Sequence, residues 1–237
     1  EVALQNGADI LLGMEISAFD NMDETVKTIV SQSGCRINAK IIVNVAGLGS
    51  EKLAKMYKGE PFDTNPRRGQ FLIFDKFSRS AVKRILLPIP TAQTKGVLVI
   101  PTIFGNLMAG PTAEDFSHDD SGITDTVTDK LQQLLEGASK LYPGLKNQPP
   151  IGLFSGVRSN CTQGSYWIRC NDNHPGVLTT AGIRSTGFTS SPALAEHLTG
   201  LLQKELGLTL EENPSAVFER EEDKWPGWYK RPYDNEK

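Results

Sequence analysis

The residues best suited to chemistry lie between Ala181 and Pro192, Ala-Gly-Ile-Arg-Ser-Thr-Gly-Phe-Thr-Ser-Ser-Pro, where two glycines bracket Arg184 and several hydroxyls precede a helix signal. Ser191 suits an N-cap and Pro192 the first helical position, while Leu194, Leu198, Leu201 and Leu202 repeat at helical spacing. Free N–H groups and the dipole at such a helix start stabilise negative charge: a phosphate, a carboxylate or an electron-rich ring oxygen. The same composition also fits an ordinary glycine- and serine-rich connection that binds nothing.

Arginines add to the signal. Arg67 and Arg68 stand between Pro66 and Gly69, and Arg158 follows Ser155-Gly-Val at a strand end. Solvated or surface-paired arginines are the common case. Three arginine positions at strand ends, two of them beside small residues, favour an anion held by forked hydrogen bonds. His118, His174 and His197 share no local pattern and read as structural or surface groups. The carboxylates of Gly110-Pro-Thr-Ala-Glu-Asp115 could serve acid–base chemistry, but the stretch has the composition of a solvated, strand-ending turn.

The elements that must position these groups follow from periodicity. Glu1 to Gly7 reads as the end of a helix closed by Asn6-Gly7. Strands are expected at Asp9 to Phe19, Thr25 to Gln32 and Ile37 to Val45, the last a continuous apolar run suited to a strand covered on both faces. A short helix is expected from Ser50 to Tyr57, then a glycine- and proline-rich separator from Gly59 to Pro66. Short antiparallel strands follow at Gln70 to Asp75, Arg84 to Pro88, Val97 to Thr102 and Leu107 to Gly110, with Gly105-Asn106 suited to a tight hairpin. Thr124 to Leu141 carries the clearest helical face, including Val127, Leu131, Leu134, Leu135 and Ala138. Strands resume at Ile151 to Val157, Tyr166 to Cys170 and Val177 to Ala181. Beyond Glu211 the tail is charged, with Trp225, Trp228 and Tyr229 as anchors or as a loosely packed end.

Composition narrows the function classes. With 237 residues, 38% of them hydrophobic, the chain can bury a substantial core. The net charge of −3 offers no basic surplus for nucleic acid, and no apolar run has the length of a membrane span. The three cysteines, Cys35, Cys161 and Cys170, have neither paired nor zinc-ligand spacing, so reduced thiols, no metal site and a cytoplasmic location are expected. Gly47-Leu-Gly49 fails as a GxGxxG fingerprint because Lys52 stands where the third glycine belongs.

Five ordered blocks carry a family resemblance: Asn44-Val-Ala-Gly47, Pro66-Arg-Arg-Gly-Gln-Phe71, Pro101-Thr102 with Gly110 to Asp115, Ser155-Gly-Val-Arg158, and Ala181 to Thr189. In order and spacing they resemble the FAD-dependent glycerol-3-phosphate dehydrogenase group of the D-amino-acid oxidase superfamily, from about residue 1 to about residue 205. The resemblance implies an α/β (α+β) fold, part of an FAD/NAD(P)-binding-like domain with an antiparallel β-sheet substrate domain. Residues 1–58 and 150–205 would form the remainder of the FAD-binding part, 59–149 the substrate sheet with its helix, and 206–237 a tail.

It implies FAD as cofactor, with Asn44, Ala46, Gly47, Gly182, Gly187, Phe188 and Thr189 as binding positions. Arg158 would hold the anionic group of a small substrate with help from Arg68, and Arg184 would stand beside Arg158 as a second catalytic-site arginine. The implied reaction is hydride transfer from a hydroxyl-bearing carbon to flavin, with glycerol 3-phosphate the first candidate and a 2-hydroxy acid or amino acid the alternative. The electron acceptor is unspecified, and a peripheral membrane or electron-transfer partner of the full-length protein stays open. The family opens with a βαβ unit carrying GxGxxG, and this sequence has none. The expectation is therefore a C-terminal portion of a longer enzyme, inactive alone and with its own hold on FAD left open, or a catalytically silent anion-binding fragment.

Overall fold

The structure, a computed structural model, describes residues 2–76, 82–90, 96–118, 125–126, 128–164, 166–211 and 213–216. Three sheets and two substantial helices organise them. After a single turn of helix, α1 (Val2–Gln5), the strands β1 (Ile16–Asp20), β2 (Lys27–Ser31) and β3 (Arg36–Ala39) form an antiparallel meander. The strand expected from Asp9 is confined to β1, because Ile10, Leu11 and Leu12 are exposed and lie along no neighbouring strand.

The third expected strand is two. Ile37 to Val45 breaks at Lys40-Ile41, so that β3 stays with the meander while β4 (Ile42–Asn44) joins a second sheet ordered β10-β11-β4. There β10 (Trp167–Cys170) pairs antiparallel and β4 pairs parallel with β11 (Val177–Ala181), which is buried along its whole length. A turn at Gly47–Gly49 leads into α2 (Ser50–Met56). A core of Met22, Ile42, Ala54, Tyr57, Phe62, Val177 and Ala181 joins these elements.

The third sheet is built on β5 (Thr64–Phe74), which begins inside the stretch expected to be a separator. It pairs antiparallel with β7 (Leu107–Gly110), β8 (Glu114–Asp115) and β9 (Gly152–Cys161), and β6 (Leu98–Pro101) completes the sheet beyond β7. Alternation gives β5 two faces: Arg68, Gln70, Leu72 and Phe74 point inward, whereas Arg67, Phe71 and Ile73 are only half-buried. The inner face packs on α3 (Leu131–Leu141) through Leu72, Phe74, Leu107, Leu134 and Ala138.

Several local expectations are corrected. The segment at Arg84 to Pro88 makes one isolated bridge, Leu86 to Val99, rather than a strand. The β6–β7 connection is no two-residue hairpin: Pro101 faces Leu107, and the Thr102 amide donates to the Asn106 carbonyl around a turn with Gly105 at φ +90°. The stretch ending in Glu114-Asp115 is not a solvated turn, since these two residues form β8. The helix expected from Thr124 begins at Leu131 after a 3-10 turn at Thr128–Lys130; Thr124 and Val127 lie outside the described residues, as do Glu1, Trp225, Trp228 and Tyr229. The final helix, α4 (Gly187–Leu206), begins four residues before Ser191, so Pro192 is internal. Proline there cannot donate to the Phe188 carbonyl, and the Ser191 hydroxyl donates to it instead at 2.9 Å. Among the described residues no helix is long and apolar enough to cross a membrane.

Candidate functional site

A cavity of about 610 Å³ opens between the end of β11, the turn after β4, the edge of β9 and the side of α4. Gly47, Arg158, Gly182, Arg184 and Gly187 all line it, and Leu194 and Leu198 make its wall on α4. Residues from three separate stretches of the sequence, 45–48, 157–159 and 180–198, therefore meet at one place, within the size range of small-molecule sites.

Each wall has a local cause. Asn44 is buried and locks the turn after β4: its Nδ2 donates to the Ser50 carbonyl at 2.9 Å and to the Tyr57 hydroxyl at 3.2 Å, and its Oδ1 accepts from the Ala46 amide. Tyr57 reaches on to the Thr179 hydroxyl at 2.5 Å, tying that turn to β11. Asn44 and Ala46 thus stand behind the cavity, and Gly47 on its surface. At the opposite wall Gly182 has φ +69°, which lets the chain leave β11 sharply, and Arg184 follows at φ +61°. The Arg184 side chain donates to the Gly164 carbonyl at 2.9 Å.

The start of α4 carries no side-chain cap. The hydroxyls of Thr189 and Ser190 donate backward to the Thr186 carbonyl, at 3.1 and 2.7 Å, so neither caps the first turn, which a 3-10 turn at Arg184–Thr186 enters directly. Phe188 and Thr189 are exposed and do not line the cavity.

Arg158 is half-buried and, among the described residues, makes no salt bridge; one of its nitrogens donates to the Thr112 carbonyl at 3.3 Å. Burial pushes its guanidinium below the usual arginine value, nearby Arg67 and Arg184 add to that, and Asp115 opposes. It stays charged, and the balance marks a cation with little compensation. Directly across the strand pair is Arg67, whose Nε and Nη2 meet the two Asp115 carboxylate oxygens at 2.5 and 2.6 Å. Arg68 points to the other face. It is buried, donates to Glu114 at 2.9 Å and lies over the Phe116 ring. The structure therefore puts Arg67 rather than Arg68 beside Arg158, a distinction that strand alternation over residues 64–74 encodes. Farther along the open face Phe71 and Phe154 stack at 5.2 Å.

Ser159 and Thr180 also border the cavity, with their hydroxyl oxygens enclosed by protein. Both are over nine-tenths buried, and their oxygens lack a hydrogen-bond partner. The histidines lie apart from this cavity. His118 Nε2 is 2.7 Å from the Thr64 carbonyl and 3.6 Å from Glu51, His174 Nδ1 is 2.9 Å from Asp23, and His197 is exposed on α4.

Comparison with known proteins gives this geometry a context. The family DAO, FAD dependent oxidoreductase, matches residues 1–201. A glycerol 3-phosphate dehydrogenase from Caloramator mitchellensis is 31% identical over 203 residues, covering 86% of this chain and 42% of that protein. A glycerol 3-phosphate oxidase from Mycoplasma genitalium is 26% identical over 221 residues, covering 90% of this chain and 56% of that protein. The chain thus spans about half the length of these relatives. Among solved structures, an L-alpha-glycerophosphate oxidase from Mycoplasma pneumoniae with FAD bound superposes with a TM-score of 0.78 at 24% identity, over 91% of this chain and 56% of the other.

Proposed function

Because the chain belongs to the FAD dependent oxidoreductase (DAO) family across residues 1–201, we propose that its cavity forms one side of an FAD and substrate site. The protein would then oxidise a small anionic substrate at a hydroxyl-bearing carbon, with glycerol 3-phosphate first among the candidates. The observation that carries this reading is the convergence of Arg158, Arg184 and the uncapped start of α4 on one cavity.

The residues present fit a flavin. The cavity has apolar walls from Val45, Leu48, Leu194 and Leu198, a backbone bare of side chains at Gly47, Gly182 and Gly187, and the cations Arg158 and Arg184 in its lining. Bound FAD would supply the hydride acceptor. Amides at the start of α4 would stabilise negative charge on that acceptor, which favours reduction. Arg158 would orient the substrate's anion, Arg184 would assist, and Asp115 would hold Arg67 as a neutral pair so that Arg158 remains the open cation. Arg68, together with Glu114, would position β8 and hence Asp115.

Residues 1–58 with 150–205 would be the remainder of the FAD-binding part and 59–149 the substrate part, with β9 running from the former into the sheet of the latter. The electron acceptor would be a separate partner. The free thiols Cys35, Cys161 and Cys170 agree with a cytoplasmic setting. Steady-state kinetics of Arg158→Ala test the assignment. The Michaelis constant for the anionic substrate should rise steeply while FAD stays bound, and unchanged kinetics would sink it.

A further inference from the structure

The side chain and the carbonyl of Thr112 serve opposite faces of the large sheet. On the buried face its hydroxyl accepts from the Gln70 amide at 3.0 Å and donates to Glu114 at 2.8 Å, while its own amide donates to the Gln70 carbonyl at 3.1 Å. Glu114 closes this network by accepting from the Gln70 side chain at 3.0 Å and from Arg68 at 2.9 Å. Such a set of paired buried groups holds one backbone geometry, because moving any member leaves another without a partner. On the open face the Thr112 carbonyl accepts from the Arg158 guanidinium at 3.3 Å. The two meet over Gly69, which strand alternation turns to the same side as Arg158. A Cβ on Gly69 would stand 3.0 Å from the Pro111 side chain, 3.4 Å from the Thr112 carbonyl and 3.5 Å from the Arg158 guanidinium. The bare backbone there is what admits guanidinium and carbonyl side by side.

We infer that Thr112 and Gly69 are positioning residues for Arg158, fixing the plane of its guanidinium so that its free edge meets the substrate's anion. This rests on the assignment of Arg158 made above. A guanidinium carries five N–H donors in one rigid plane, so a single anchored nitrogen restricts where the others point. Without that anchor the long arginine side chain would lose its rotamer freedom at the moment of binding. A neutral carbonyl anchors it and leaves its charge for the ligand, which a carboxylate partner would not. Arg67 shows the contrast, since its fork is taken up by Asp115. One short stretch therefore gives Arg158 a carbonyl, from Thr112, and Arg67 a carboxylate, from Asp115. Glu114 acts one step farther back, through the Thr112 hydroxyl.

The test is a double-mutant cycle on the FAD-loaded protein, with glycerol 3-phosphate as substrate and the Michaelis constant, turnover number and FAD affinity as readouts. Thr112→Val and Gly69→Ala should each raise the Michaelis constant about five- to tenfold, with turnover within about twofold of wild type. Thr112→Ser, which restores the hydroxyl, should recover most of the loss. In an Arg158→Ala background neither substitution should raise the Michaelis constant further, and FAD affinity should be the same throughout. A merely structural role gives equal effects in both backgrounds, and that result would overturn the inference. So would Michaelis constants equal to wild type for Thr112→Val and Gly69→Ala. Gly69→Ala leaves the buried network intact and decides the matter should Thr112→Val fail to fold. An Arg158→Ala variant with wild-type kinetics, or a wild type that does not turn over glycerol 3-phosphate, would overturn the functional reading and this inference with it.

Discussion

At the scale of single residues, Arg158 carries the account. Arg158→Ala should raise the Michaelis constant for the anionic substrate by about thirtyfold or more, and Arg158→Lys should recover only part, since an ammonium cannot reproduce the forked geometry. Its neighbours set an acid limit on stability. Hydrogen bonds from Arg67 hold the Asp115 carboxyl below its ordinary value. For Glu114 burial pushes upward, but hydrogen bonds from Arg68, Thr112 and Gln70 outweigh it and the net shift is downward. Carboxyls depressed in the folded state contribute stability above their unfolded values and lose it as pH falls through the folded ones. Urea unfolding midpoints should therefore hold from pH 7 to about 5 and decline below about 4, with Asp115→Asn flattening part of the decline. The effect of Asp115 should be modest, because its half-exposed side chain is screened by water. A decline already complete at pH 5 would contradict the pairing.

At the scale of elements, the turn after β4 ties the cavity lining at Gly47 to α2 and β11. Asn44→Ala removes the donor to Ser50 and Tyr57 and should cost about 1–3 kcal/mol in thermal or urea unfolding. It should also weaken FAD binding by loosening Gly47; full FAD affinity in a destabilised variant would show that the turn does not shape the cavity. By contrast Leu134→Ala, deep between α3 and the large sheet, should cost about 2–5 kcal/mol while leaving FAD affinity intact. The legibility of the elements followed the same division. Runs with a strong local signal, such as β11, α2 and the body of α3, could be read from their periodicity. The break at Lys40-Ile41 could not, because β3 and β4 are separated by the partners they find, not by any local stop signal. The start of α4 departs from its local sequence signal for a related reason. Ser191-Pro192 has the chemistry of a helix start, yet the Ser191 hydroxyl repairs the helix at Pro192 and moves the true start to Gly187.

At the scale of the whole molecule, the ordered blocks were legible as a set because a cofactor site draws on distant strands in a fixed order. Glycines and arginines at strand ends expose that order in the sequence. Asp115 was not legible in this way. Its significance lies in meeting Arg67 across the sheet, which depends on three-dimensional neighbours. The last helix is loosely covered: α4 has no fully buried residue, and Leu194 and Leu198 line the cavity. FAD should therefore act as a packing element and raise the melting temperature of the protein as its concentration increases. The most direct measurement is an anaerobic titration of the FAD-loaded protein with glycerol 3-phosphate, followed by the absorbance of oxidised flavin. The substrate should bleach this absorbance, and Arg158→Ala should require far more substrate to do so. Retention of the oxidised flavin spectrum at saturating glycerol 3-phosphate, with bleaching by 2-hydroxyglutarate instead, would contradict the substrate; retention with both would contradict the reaction.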